Sequence, residues 1–416
     1  MSAANDPATI ASALLSTHDL DLISYTTLQR LWAGYGQICA ITARARTDSA
    51  AAYVRNCQYL GKVPGEGKAK AGDTFPLILK LISPPPAKAT SSSSGKMVDE
   101  GHLRKIYSYE VEQFFYSKIV PLLGDLGVAR CLASTYTSEN EEEESGLTAT
   151  IITDLRPLYP VSGEKRSALS PAQVHGALSW LSKFHASTFT FTHRALGEYI
   201  LPPLEEHDLR IFTSNSNSTW PRNGVWLNGG YTYLSTRRNE YASLREDGGS
   251  EWSEAFCTPT PTADGGGGES IAELAAKVLT PRSREIESLI HGDVKSENLF
   301  TTSDGDVAFF DFQYTGLGLG VCDLAKLFTC SVPLPMLLQG GGQEDKYDEY
   351  NLSSELAMCA GEKDLLQRYR AGLLEASGNK EEFYPWDVFI RHWETALVDW
   401  CRFQASWGFW GEYGVA

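Results

Sequence analysis

The sequence predicts an α+β chain: strand-like runs with a helix come first, and a larger, mostly helical part follows. Three observations predict it. Strand-like apolar halves bracket two glycines in residues 28 to 46, and another apolar run follows at Phe75 to Ile82. Aromatic and aliphatic residues then recur at helical spacing in His102 to Leu123, from Ser170 onward, and again from Trp386. Late in the chain, two short apolar flanks enclose Ser303-Asp304-Gly305-Asp306, a turn signal that folds them into a hairpin. At 416 residues the chain can bury one large core or two lobes.

The elements follow in order. Asn5-Asp6-Pro7 ahead of Ala-rich sequence is a capped helix start, and Met1 to Asp21 has no basic stretch of the secretory kind. Gly34 and Gly36 stand at the tip of a hairpin, where backbone N–H groups can approach phosphates; a plain β-turn is the alternative. Residues 47–74 show no clear period and are expected to be an extended insert between the second and third strands. Lys80 interrupts the strand Phe75 to Ile82, either as an edge charge or as a phosphate-gripping ammonium. Ser83 to Gly95 is a Pro/Ser linker. In the helix from His102, Tyr109, Glu112, Phe115, Tyr116 and Ile119 share helical spacing, while Glu110 lies on a different face. The four glutamates in Ser138 to Gly146 form a solvated loop. A strand at Leu147 to Ile152 ends near Asp154, which could be a plain turn or cap residue.

Ser170-Pro171 opens a capped helix through His185, which we read as a hydrogen-bonded core residue. Residues 190–242 hold Trp220, Trp226, Tyr231, Tyr233, Arg237 and Arg238 among glycines, with no role legible from sequence. Residues 245–268 are expected to be a flexible loop and Glu269 to Leu279 a helix. Asp323 caps a further helix. The tail from Trp386 is a helix dense in tryptophan (393, 400, 407, 410) that also carries Glu394 and Asp399; its rings are core by default. Were they to line a cleft, they would suit a cation.

The chemistry concentrates at residues 290 to 313. His291, Asp293 and Asn298 have the spacing H-x-D-x-x-x-x-N, and Asp311 follows at the end of the hairpin. Phosphoryl transfer needs this set. One carboxylate accepts or orients the proton of an attacking hydroxyl. A second carboxylate and an amide oxygen can hold Mg²⁺, which prefers hard oxygen ligands. Lys295, two positions after Asp293, could reach the transferring group, or could merely pair with Glu297.

These residues resemble the aminoglycoside phosphotransferase and choline kinase superfamily, relatives of the protein kinases. His291-Gly292-Asp293 has the glycine of the small-molecule kinases where protein kinases have arginine. Asp311-Phe312-Gln313 replaces Asp-Phe-Gly, no Ala-Pro-Glu follows, and the run from Asp311 to Asp323-Leu-Ala-Lys is most similar to the ecdysteroid-kinase-like and choline-kinase-like branch. The resemblance implies a bilobal protein-kinase-like fold, with an antiparallel-sheet N-lobe at residues 1–153 and a mostly helical C-lobe at 154–416, that uses ATP and Mg²⁺ as cofactors. It implies Lys80 on the α- and β-phosphates with Glu112 as its partner, and Glu110 as the runner-up. Asp154 falls at the hinge, where backbone groups meet adenine. Asp293 would be the base, Asn298 and Asp311 the metal ligands, and Asp323 a tether for the catalytic-loop backbone. The implied function is an ATP-dependent kinase acting on a hydroxyl of a small molecule. A catalytically silent nucleotide-binding or scaffold protein, and a protein kinase, are the competing readings. Choline-like amines, aminoglycosides, sterols and sugars are all open as acceptor.

Composition narrows partners and compartment. A formal charge of −16 argues against nucleic acid or an anionic membrane and would suit a cationic acceptor. No apolar run is long enough to cross a bilayer. Eight scattered cysteines without a CxxC pair read as reduced thiols of a cytoplasmic protein. Oligomeric state is not legible.

Overall fold

The computed structural model describes residues 6–31, 34–59, 68–84, 99–136, 148–191, 199–214, 224–261, 267–339 and 358–408. The glutamate run at 141–144, most of the Pro/Ser linker, Trp220 and Trp410 lie outside the described residues. The chain divides into two compact units. The first comprises residues 1–160, 196–227 and 310–315; the second comprises 161–195, 228–309 and 316–416.

The first unit begins with α1 (Pro7–Ser16), whose N-cap Asp6 accepts from Thr9 N at 3.0 Å, with proline in the first turn. A five-stranded antiparallel sheet follows: β1 (Leu20–Arg30), β2 (Gly36–Ala45), β3 (Thr74–Ile82), β4 (Cys131–Ser134) and β5 (Thr148–Thr153), in the order β1-β2-β3-β5-β4. Period-two alternation turns Phe75, Leu77, Leu79 and Leu81 of β3 to one face. There they meet Cys39, Ile41, Ala43 and Ile151, covered by Ile10, Ala11 and Leu15 of α1. Each buried leucine contributes about 1.5–3 kcal/mol, and Leu79→Ala would cost about 2–5 kcal/mol in this site. The same alternation sends Lys80 to the opposite face.

Residues 47–74 depart from the expected extended insert: Asp48–Tyr59 form a helix, α2. Thr47 Oγ1 accepts from Ala50 N at 3.1 Å at its start, and Ala50, Ala51 and Val54 bury a narrow stripe in the sheet core. Small side chains made that stripe look mixed and polar. The next helix, α3 (Glu100–Phe114), is capped by Asp99 and passes into a π-helical turn at Phe115–Ile119. Phe115 stacks on Phe312 with ring centroids 4.0 Å apart.

In the second unit the short strand β6 (Val161–Ser162) precedes α4 (Pro171–Thr188), which opens with a capping box between Ser170 and Gln173. The first unit then receives the parallel pair β7 (Tyr199–Ile200) and β8 (Val225–Trp226) and helix α5 (Pro203–Ser214). From here the second unit is mostly helical. Residues 245–268 are not simply a loop. After α6 (Arg238–Glu246) they hold α7 (Glu251–Cys257), capped by Ser250, where Trp252 and Phe256 stack one turn apart, and the two strands β9 (Pro259–Pro261) and β10 (Gly267–Ser270) pair. A seven-residue helix leaves too little periodicity to be seen in sequence. Glu269 lies in β10 rather than opening the next helix; α8 (Ile271–Leu279) starts at the capping box of Ser270 and Glu273.

Next, β11 (Ser288–Ile290) leads to the expected hairpin. Its strands β12 (Leu299–Thr301) and β13 (Val307–Phe309) pair Leu299 with Phe309 and Thr301 with Val307, and β6 extends them. After β14 (Gly316–Gly318), which pairs with β11, come α9 (Val321–Ser331), α10 (Leu334–Gln339), α11 (Ala360–Ser377) and α12 (Trp386–Ser406). The N-cap of α9 is Gly320, so Asp323 is not the cap; it sits in the first turn and turns inward. The fold class is the α+β one expected, with an antiparallel sheet in the first unit and a mostly helical second unit. Among the described residues no helix is long and apolar enough to cross a membrane.

Candidate active site

Each unit holds a cluster of buried charges. In the first, the Lys80 ammonium lies 2.5 Å from Glu112 Oε2 and 3.0 Å from Asp311 Oδ1. Helix α3 supplies Glu112. Its neighbour Glu110 is occupied elsewhere, by Arg210 of α5 at 2.7 Å, so of the two glutamates it is Glu112 that meets the lysine. Asp311 has a left-handed backbone (φ 66°), a conformation rare outside glycine although aspartate tolerates it better than most. Gln313 Nε2 donates to Asp311 Oδ1 at 2.6 Å, and the Gln313 side-chain oxygen accepts from Ser108 Oγ at 3.2 Å. Trp226 Nε1 fixes the Gln313 carbonyl at 2.8 Å. The glutamine that replaces glycine in this triplet therefore steers the aspartate, a role sequence reasoning did not assign.

One ammonium here faces two carboxylates. Burial pushes Glu112 up to about 7, and the Asp311 charge adds to that, against the pull of Lys80. Burial would lower the Lys80 pKa, but Asp311 and Glu112 more than reverse it, so the lysine stays charged.

Of the two tip glycines, Gly36 (φ 146°) is needed for packing: a Cβ there would lie 2.0 Å from the Leu81 carbonyl. Gly34 (φ 78°) is exposed and faces open space. Between them, Tyr35 hydrogen-bonds His102 and tilts against the Tyr109 ring. Asp154 is buried, and its carboxylate is gripped by Arg156, with Nη2 at 2.6 Å and Nε at 2.9 Å.

In the second unit, the loop after β11 is held by its backbone. The buried Asp323 carboxylate accepts from His291 N at 2.7 Å and Gly292 N at 2.8 Å. His185 Nε2 lies 3.1 Å from the same carboxylate, and its Nδ1 meets Tyr369 Oη at 2.7 Å. His185 is thus the bonded core histidine expected, holding the tether. Gly292 adopts φ 79°, which turns the chain so that Asp293 follows.

Asp293 is buried and surrounded by donors. Asn298 Nδ2 donates to its Oδ2 at 3.0 Å and to its carbonyl at 2.9 Å, which leaves Asn298 Oδ1 as that amide's lone-pair donor. Lys326 of α9 makes a direct ion pair with Asp293 Oδ1. Lys295 Nζ lies 3.3 Å from Asp293 Oδ2 and 2.6 Å from Glu297 Oε1. Burial would raise the Asp293 pKa, but Lys326 and Lys295 outweigh it and hold the carboxyl below its ordinary value. Lys326 was missed in the sequence. The available signal was its i,i+3 spacing from Asp323, which puts both charges on one helix face. The Trp-rich helix divides: Trp393 is core against Phe328, Trp400 lines a cavity beside Lys326, and Trp407 is 38% exposed.

Residues 251–352 match the family model described as the phosphotransferase enzyme family, APH. That stretch contains the motifs in residues 290 to 323 that carry the resemblance to the aminoglycoside phosphotransferase and choline kinase superfamily. Three solved structures are similar to this chain at low identity. The amicoumacin kinase hAmiN, in complex with AMP-PNP, Ca²⁺ and Ami, is 11% identical, with a TM-score of 0.41 over 96% of this chain and 87% of that one. Choline kinase from Cryptosporidium parvum is 12% identical (TM-score 0.39, 94% and 82% covered). Macrolide 2'-phosphotransferase MphH from Brachybacterium faecium is 14% identical (TM-score 0.38, 97% and 94% covered). A comparison with curated protein sequences finds no match.

Proposed function

We propose that this chain is an ATP-dependent small-molecule kinase that transfers the γ-phosphoryl group to an acceptor hydroxyl. The observation that carries this reading is Asp293: a buried carboxylate kept ionised by two lysines, on a loop whose backbone is pinned by Asp323. Asp293 orients the acceptor hydroxyl and takes its proton as the oxygen attacks the γ-phosphorus and ADP departs. Lys80, positioned by Glu112, binds the α- and β-phosphates. Gly34 offers backbone at the tip of the β1–β2 hairpin. Asp154 contributes through its main chain, since Arg156 takes up its carboxylate. Lys295 offsets charge on the transferring group.

Asn298 and Asp311 are the residues assigned to Mg²⁺, since an amide oxygen and a carboxylate are each the hard donors this ion prefers. When bound, Mg²⁺ neutralises charge on the phosphate oxygens. Eight free thiols support a cytoplasmic setting. The test is a metabolite-extract screen with ATP and Mg²⁺, read by mass spectrometry for products heavier by one phosphate. Products that vanish with Asp293→Ala are expected. Tight nucleotide binding with no phosphorylated product across a broad acceptor panel would favour the silent nucleotide-binding reading instead.

A further inference from the structure

Beside the pinned loop lies a cavity of about 30 Å³. It holds about two waters, or one hydroxymethyl-sized group. So it can seat only the reacting end of an acceptor. Its wall comes from the stretch whose role the sequence left open. Tyr231 N donates to the Gly292 carbonyl at 2.9 Å, and Gly229 N donates to Leu317 O at 2.7 Å. A Cβ at Gly229 would sit 2.7 Å from the Gly316 carbonyl, which explains a glycine there. Asn228, Thr232, Tyr233, Lys326, Asp399 and Trp400 face the space.

The parts of a cation box are present: two aromatic rings and carboxylates. The box is already filled. Lys326 Nζ lies 4.6 Å from the Tyr231 ring centroid and 5.7 Å from that of Trp400. Arg237 stands 3.9 Å over the same Tyr231 ring. Each carboxylate is also committed: Asp293 to Lys326, Asp399 to Arg402 at 2.6 Å, and Asp323 to two backbone N–H groups and His185. A second cation would find Tyr231 and Trp400 already facing an ammonium and the acids paired, next to a charge it must repel. The net charge of −16 does not reverse this. Charges spread over the surface are screened within about 8–10 Å, whereas Lys326 lines the cavity itself. One polar atom does await a partner: Asn228 Oδ1 is buried without a hydrogen bond, an acceptor for an O–H.

We infer that Lys326 fills the cation position with the protein's own side chain, so the acceptor is a neutral alcohol whose hydroxyl end carries no positive charge and donates to Asn228. This rests on the kinase reading for its chemistry but is tested by binding alone. The probes are choline and 3,3-dimethylbutan-1-ol, which share shape and differ in charge, titrated without nucleotide and read by ligand-observed NMR. Wild type is expected to bind the alcohol more tightly than choline. Lys326→Ala is expected to gain choline affinity by at least about tenfold, as an emptied aromatic box should. Lys326→Arg is expected to keep rejecting choline. The inference is overturned if wild type takes choline as tightly as the alcohol, binding of neither included, or if a folded Lys326→Ala gains no choline affinity. Should that variant not fold, the wild-type comparison alone decides. Absence of phosphorylated product in the extract screen would sink the kinase reading and leave this result standing.

Discussion

Two buried lysines do opposite things in the two units. Around Lys80, one ammonium serves two carboxylates, Glu112 and Asp311. Around Asp293, one carboxylate serves two ammoniums, Lys326 and Lys295. The first cluster is therefore short of positive charge, whereas the second is balanced only because Glu297 takes up Lys295 at 2.6 Å. Burying an unbalanced charge is expensive, and such imbalance persists where a ligand can correct it. In the proposed reading, Mg²⁺ would add positive charge to the first cluster and phosphate oxygens would face the lysines of the second. The difference teaches that lysine and carboxylate, the same residue pair, answer to opposite ligand charges depending on which partner is doubled.

The largest expected effect breaks the second cluster. Asp293→Asn should lower kcat by roughly 10²- to 10⁴-fold, the usual worth of general base help. It also leaves Lys326 buried without its counter-ion, so the melting temperature should fall, whereas nucleotide affinity should hold. Near-normal turnover in a folded Asp293→Asn protein would remove the base from Asp293.

Breaking the first cluster should show in binding rather than in chemistry alone. Asp311→Asn removes a charged oxygen and leaves Lys80 to Glu112, so the stabilisation by Mg-ATP should shrink along with the rate. A thermal-shift titration identical to wild type would take Asp311 out of the metal site.

These two clusters were unequally legible in the sequence. Asp293, Asn298 and Asp311 stand out by fixed offsets within one stretch, whereas Lys80 and Glu112 stand on a legible strand and helix but owe their pairing to the resemblance. The strand itself was legible because Leu77, Leu79 and Leu81 alternate with Lys80. Helix α2 was not, because Ala50, Ala51 and Val54 bury too little surface to print a period. Asp323 reads as a cap from its place before Leu-Ala-Lys, but the cap is Gly320; the tether that the resemblance implies is the role its bonds to His291 N and Gly292 N fit. Lys326 was invisible because its role depends on Tyr231 and Trp400, which approach it only through tertiary packing. Gln313 looked like a neutral replacement until its hydrogen bond to Asp311 was located.

The imbalance in the first cluster also predicts a pH response. Glu112 is pushed up to about 7 in the folded protein from an ordinary 4.5. A raised folded pKa contributes stability that is fully present below the unfolded value and is lost as pH rises through the folded one. Wild type should therefore lose stability between about pH 4.5 and 7, and Glu112→Gln, which cannot ionise, should flatten that part of the curve. Parallel stability curves for the two proteins across that window would mean that Lys80 compensates Glu112 fully.

The smallest expected effect concerns Lys295, the second ammonium on Asp293. Its charge is divided: Glu297 holds it at 2.6 Å and Asp293 at 3.3 Å, and the side chain is 29% exposed. Partly exposed pairs of this kind are worth about 0.2–1 kcal/mol, so losing the pairing alone should change the rate less than about fivefold. A contact made only in the transition state would cost more, and would lower kcat and kcat/KM together with the acceptor KM unchanged. We expect Lys295→Ala to show that pattern with a loss of about tenfold, because Lys326 already supplies the ground-state charge on Asp293 and Lys295 is left for the transferring oxygens. Lys295→Arg should recover only part of the rate, since a planar fork replaces a compact charge. Glu297→Gln separates the two roles further. It frees Lys295 from its nearer partner, so kcat should rise or hold if the lysine works on the phosphoryl group. If Lys295→Ala keeps wild-type kcat, the lysine is a surface charge, and Lys326 alone holds Asp293 ionised.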